Sequence, residues 1–194
     1  MIWIKIARLG LIPNDPLVRK SPKQRSAGGH ILRGEGMKLN SMARLAFSVL
    51  LCLSVGIVES LVTRPEIPAW YAGLVKPSWT PAPLVFPIAW TVLYILMAIS
   101  FWRLWDMETR SVARTRAMTW FLVQLFLNAL WLPVFFGWHG TRTALFIIMG
   151  LLIAIAATMV TASRVERLAA WLLAPYLLWV AYATTINIGV VAMN

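Results

Sequence analysis

The chain has 194 residues, of which 60% are apolar and 13% charged, where a soluble domain carries about 45–50% apolar and about 25% charged residues. Those proportions exclude a soluble enzyme and a disordered protein, and leave a bundle of membrane helices within a single domain. The net charge of +11 would suit nucleic acid if it covered a folded face, but nine of the 18 Lys and Arg residues lie before Leu45 and the rest fall almost wholly between apolar blocks. No aromatic-basic platform or helix-turn-helix pattern accompanies them, so no nucleic-acid partner is expected. The single cysteine, Cys52, excludes a disulfide framework or a Cys-ligated zinc site within one chain.

In chain order, residues 1–42 read as a basic, irregular tail. Its apolar start is interrupted by Lys5 and Arg8 and lacks a small-residue cleavage site, so it is not a signal peptide. The tail reads either as an arm on anionic lipid or as sequence ahead of a start near Met37 or Met42. The expected fold of residues 43–194 is all-α: a five-transmembrane-helix bundle with a long structured loop between helices 1 and 2. Spans are expected near 43–63, 84–104, 117–138, 143–162 and 168–191, each long enough to cross about 30 Å of hydrocarbon at 1.5 Å per residue. Ten-residue alternation, the mark of a membrane barrel, is missing.

Orientation follows from the basic residues. With the N-terminus inside, the inner segments collect 15 Lys and Arg, and the outer ones hold only Arg64, Lys76 and Arg142; the expectation is an N-in, C-out protein of a cell membrane. Between the first two spans, Arg64 to Pro83 is long, and rich in Pro and Trp. Pro65, Pro68, Pro77, Pro81 and Pro83 stiffen it and Trp70, Tyr71, Leu74 and Trp79 argue against disorder, so it reads as a lid on the outer face.

Eleven tryptophans exceed the usual share. Interfacial belts account for Trp102, Trp105, Trp120, Trp138 and Trp171. Trp90 and Trp131 sit roughly 9 Å below the outer ends of their spans and Trp179 roughly 16 Å, too deep for a belt. Each belongs to a stripe at helical spacing: Phe86, Trp90, Tyr94, Met97; Gln124, Asn128, Trp131; Tyr176, Trp179, Ala183, Asn187. Uncharged polar groups in hydrocarbon need partners, so the three stripes should face one another. Two readings stand: the polar residues are interhelical glue and the rings fill the core, or the rings pack with gaps and form an aromatic pocket for a flat hydrophobic ligand.

Pro87, Pro133 and Pro175 fall inside expected helices, where they would free carbonyls. The fourth span carries a ridge of Gly150, Ala154, Thr158 and Ala162, suited to close helix contact within the bundle or across a dimer. Glu59, about a turn from the expected end of the first span, reads as an interfacial carboxylate pairing with Arg64 or closing a polar contact. His30 and His139 are far apart, so no metal site is expected; neither a Ser-His-Asp set nor a Walker loop is present.

Trp70-Tyr71, Leu74, Lys76-Pro77-Ser78-Trp79-Thr80-Pro81, Phe86, Trp90-Thr91 and Leu93-Tyr94, followed by Gln124-Leu125, Leu127-Asn128, Trp131, Phe135-Phe136, Pro175-Tyr176, Trp179, Ala183-Thr184 and Asn187, resemble the tryptophan-rich sensory protein family, which includes the mitochondrial translocator protein or peripheral benzodiazepine receptor. The resemblance covers Leu45 to Asn194. It implies a five-helix membrane protein, usually a homodimer, of bacterial type, that needs no cofactor and binds porphyrins such as protoporphyrin IX and haem in a pocket under the first loop. Tyr71, Trp90, Tyr94, Gln124, Asn128, Trp179 and Ala183 would line it, joined by Trp131 and Asn187 from the stripes; Trp70, Pro77, Trp79 and Pro81 would form the lid. The family is linked to tetrapyrrole regulation, transport and stress response. Light-dependent porphyrin breakdown, with Trp90 and Trp179 taking part, is the alternative, and a membrane scaffold acting through the small-residue ridge is the third. The family's paired proline is here Pro81-Ala82, and nothing basic follows Tyr182, so sterol recognition by the C-terminal pattern is not expected.

Overall fold

Among the described residues, every segment long and apolar enough to cross a membrane is helical, as apolar stretches must be when no water is present to satisfy the backbone. The structure, a computed structural model, describes the backbone of residues 22–108 and 110–194 and the side chains of residues 39–108 and 110–194. The helices are α1 (Pro22–Ala69), α2 (Val85–Asp106), α3 (Val112–Leu132), α4 (Thr141–Ser163), α5 (Arg167–Trp171) and α6 (Ala174–Met193), with a 3-10 turn at Tyr71–Gly73 and a π turn at Pro133–Gly137. Five segments are long and apolar enough to cross a membrane: Leu39–Ala69, Val85–Asp106, Val112–Gly137, Thr141–Ser163 and Arg167–Met193. No strand occurs among the described residues. The protein is thus an all-α bundle with five membrane spans, as the sequence implies.

The first span differs most from expectation. Its helix runs through Pro65 and Pro68 to Ala69 rather than stopping near 63, each proline removing one N–H from the ladder of the final turns. The lid proper therefore begins at Trp70. Residues expected as irregular tail are helical from Pro22 onward; no proline between Pro22 and Pro65 blocks a backbone bond. The expectations for residues 1–21 lie outside the described residues.

Residues Ser41–Asn194 form one compact unit. Within it α4 is central, packed along α3 and also against α6 and α5. The ridge explains the closeness: Ala154, Thr158 and Ala162 are buried, and a Cβ on Gly150 would lie 3.9 Å from Leu127. Without a hydrophobic drive between helices in lipid, such small residues gain contact by letting backbones approach. The α1 backbone stands further off from its neighbours, and side chains bridge the space, with Phe47 edge-on to Trp105 at 5.4 Å and Arg44 paired with Asp106 at 3.2 Å.

Helix ends at the side opposite the lid are capped by side chains. Ser111 accepts from the Arg114 backbone N–H at 3.1 Å, and the Arg114 guanidinium donates to the Leu104 and Trp105 carbonyls at the end of α2. Glu166 accepts from the Leu168 and Ala169 N–H groups at the start of α5 and from Arg103 Nε at 2.7 Å. The three prolines expected inside helices sit at element boundaries instead: Pro87 in the first turn of α2, Pro133 opening the π turn and Pro175 in the first turn of α6. There an N–H is dispensable.

A candidate binding site between the spans

Glu59 brings a buried acid to the site, and its position corrects the interfacial reading. The extended α1 places it ten residues from Ala69, about 15 Å along the axis. It is 3% exposed, and its partner is Tyr94, whose O–H donates to Glu59 Oε2; Arg64 plays no part. Asn128 Nδ2 in turn donates to the Tyr94 oxygen at 2.7 Å, so one polar thread joins α1, α2 and α3. Gly56 makes the thread possible, since a Cβ there would lie 2.7 Å from Tyr94 Cε2.

Rings cluster around this thread. Trp90 stacks on Tyr94 at 5.6 Å and meets Tyr176 edge-on at 6.2 Å. Phe86 meets Trp179 edge-on at 6.0 Å, and Trp179 leans on Tyr182 at 5.9 Å. Tyr94 and Tyr176 are fully buried, while Trp90 and Trp179 are half-buried. Ala183 is buried on the face of α6 that carries Val180 and Asn187.

Polar atoms in and beside this cluster go unpaired. Gln124 is 0% exposed, and both of its amide atoms lack a partner, as do Asn128 Oδ1, Tyr176 O–H, Trp179 Nε1 and Glu59 Oε1. Buried polar groups are ordinarily satisfied, and each one left open costs about 1–3 kcal/mol. Five such residues are drawn from α1, α3 and α6.

Other expected site residues are engaged with one another. Trp131 Nε1 donates to Asn187 Oδ1 at 3.2 Å, and Asn187 Nδ2 donates to the Thr141 carbonyl at 2.9 Å, tying α3, α6 and the start of α4. Tyr71 belongs to the lid and lies 5.3 Å from Phe136, and burial raises its phenol pKa. The π turn makes this contact by turning Val134, Phe135 and Phe136 inward in succession, a local widening often found where function needs it. Trp70 stacks on His139 at 4.2 Å, and His139 in turn meets Glu66 at 3.0 Å.

The lid is pinned at both ends. Lys76 Nζ donates to the Tyr71 and Leu74 carbonyls at 2.8 Å each and lies over the Tyr71 ring. Val75 exchanges two hydrogen bonds with the Asn194 side chain, and Tyr182 O–H donates to the Trp79 carbonyl. Trp79 thus holds by its backbone, its ring being half exposed, and Pro81 is partly exposed. Pro77 is buried against Gly189, where a Cβ would collide with Pro77 Cγ.

Sequence reasoning passed over Gly56, Gly189, Tyr182 and Asn194, and undervalued Glu59. The signal for Glu59 was present: Cys52, Gly56 and Glu59 share one helical face in the first apolar stretch. For Gly189 none existed, because its need arises from a partner 112 residues away.

The fold and site define an integral membrane helical bundle with an aromatic interior and a strapped lid. The chain belongs to the TspO/MBR family, which matches residues 48–193. It is 35% identical over 150 residues to the tryptophan-rich protein TspO of Chlorobaculum tepidum, covering 77% of this chain and 95% of that protein. Over 125 residues it is 38% identical to a tryptophan-rich sensory protein of Cereibacter sphaeroides, covering 64% and 77%. The human translocator protein is 39% identical over 119 residues, covering 61% of this chain and 70% of its own length.

Proposed function

We propose that this membrane protein binds porphyrins, protoporphyrin IX or haem, and similarly flat hydrophobic molecules between α2, α3 and α6 under the lid, and serves in tetrapyrrole regulation or transport. The observation that carries the reading is the unpaired polar set, Gln124, Asn128 Oδ1, Tyr176 O–H and Trp179 Nε1, set in and beside a cluster of rings. A planar macrocycle offers aromatic faces to Trp90, Trp179 and Phe86, and ring nitrogens or carboxylates to the open amide and hydroxyl groups. Occupancy requires the rings to make room, which half-buried Trp90 and Trp179 do at less cost than buried Tyr94 or Tyr176. Trp131 and Asn187, already paired, support the wall rather than meet the ligand.

Titration of the purified chain with protoporphyrin IX should quench tryptophan fluorescence saturably. Trp179→Ala should weaken binding severalfold, whereas affinity unchanged from the parent chain in both Trp179→Ala and Trp90→Ala would defeat the reading. Illumination of the complex should give no more porphyrin loss than free porphyrin does; excess product that vanishes in Trp90→Phe while binding persists would favour the degrading enzyme.

The setting proposed for this activity is a bacterial cell membrane, with the chain as a homodimer, its N-terminus inside and the lid outside. The charge bias between alternate loops supports the orientation. Because Ala154, Thr158 and Ala162 are buried within one chain, pairing would use other, lipid-facing surfaces.

A further inference from the structure

Between α1 and α3 the surface holds a recess of about 230 Å3, lined by Ser54, Val55, Val58, Glu59 and Ala129. Ser54 and Val58 are exposed and lie within a membrane span, so the recess opens sideways toward lipid. Ser54 Oγ is occupied by the Leu51 carbonyl at 2.8 Å, and the remaining walls are apolar. Glu59 is the one ionisable group lining it. One carboxylate oxygen holds Tyr94, and the other, Oε1, is buried with no partner.

We propose that this recess, on the lipid side of the Glu59–Tyr94 thread, is a second binding site for a lipophilic amine whose protonated nitrogen meets Glu59. The chemistry follows from what the walls lack. An acid inside a bilayer is costly unless paired, and such residues mark sites of function. Glu59 makes no ion pair among the described residues, and the positions one turn away on its helix, Val55, Gly56, Val62 and Thr63, are uncharged. A complement from outside the chain would carry positive charge and N–H donors. Access only through lipid and walls of Val55, Val58 and Ala129 require an apolar body behind that charge. At 230 Å3 the recess is smaller than the roughly 300–1,000 Å3 of sites that engulf a drug-sized ligand. It accepts a head and the first carbons of a chain, with the remainder in the bilayer, and it excludes a macrocycle.

The test is binding of radiolabelled dodecylamine to the full chain in phosphatidylcholine nanodiscs, with empty nanodiscs as the blank. Saturable binding near one per chain is expected, weakened at least tenfold in Glu59→Gln, which keeps the acceptor for Tyr94 but loses the charge. Ala129→Phe, which fills the recess from α3 without touching the thread, should weaken it as much while leaving protoporphyrin IX binding unchanged. Dodecanol should compete at least tenfold more weakly than unlabelled dodecylamine. Binding that does not saturate, that survives both substitutions, that dodecanol displaces equally well, or whose loss in Ala129→Phe is matched by loss of porphyrin binding overturns the proposal.

Discussion

A single missing methyl group at Gly56 lets Tyr94 swing close to α1 and reach Glu59. Gly56→Ala would place a carbon 2.7 Å from Tyr94 Cε2, and the ring, stacked on Trp90 and bonded by Asn128, has little room to retreat. Overpacking of this kind costs about 1–3 kcal/mol. The variant should melt several degrees lower in detergent, and since the Glu59 contact is the bond displaced, adding Glu59→Gln to Gly56→Ala should cost less than Glu59→Gln costs alone. Additive losses in that double-mutant cycle would show that the two residues are not coupled. The stripe Phe86, Trp90, Tyr94 was legible in the sequence because helical spacing puts those side chains on one face. Its true partner on α1 was not, because an acid near an expected helix end looks interfacial until the helix is seen to continue.

At the scale of elements, the lid and the short α5 each depend on a close fit. Pro77 rests on Gly189, so Gly189→Ala must lift the lid or shift α6. The Val75 and Thr80 amides, which bond to Asn194 and Pro77, should then exchange hydrogen markedly faster while amides in the middle of α4 do not change; equal exchange throughout would mean the lid is anchored elsewhere. At the opposite side, the Arg103 guanidinium and then the Ala169 and Leu168 N–H groups hold the Glu166 carboxyl below its ordinary pKa of 4.5. A group depressed in the folded state adds stability above its unfolded value and loses it as pH falls through the folded one. Thermal stability should therefore drop on acidification below about pH 4.5, by at most about 1 kcal/mol for a bridge this open to solvent. Glu166→Gln should be less stable at neutral pH and flatter with acid, a contrast read by melting curves at several pH values.

For the whole molecule, five spans leave the lid and the N-terminal side of the first span on opposite faces of the bilayer. The proposed orientation predicts which face each meets. In a background where buried Cys52 is replaced by Ala, a cysteine at exposed Ser78 should react with a membrane-impermeant maleimide on intact cells. One at exposed Arg110 should react only after permeabilisation. The reverse pattern would invert the topology.

Composition, charge placement and helical spacing alone determined that the chain crosses a membrane five times, that a stiff loop follows the first span, and that the rings of the second, third and fifth spans share faces turned from lipid. These are local properties: the length of an apolar run and the 3.6-residue repeat depend on neighbours in the chain. Tertiary structure decided which of those residues are satisfied and which are left open. Trp131 and Asn187 carry the same signature as Gln124 and Trp179, yet the first pair close on each other across 56 residues while the second remain unpaired. Hydrogen-bond pairing between helices depends on the distance and angle at which backbones cross, and those are set by contacts such as Gly56 with Tyr94 and Gly189 with Pro77, between residues distant in sequence.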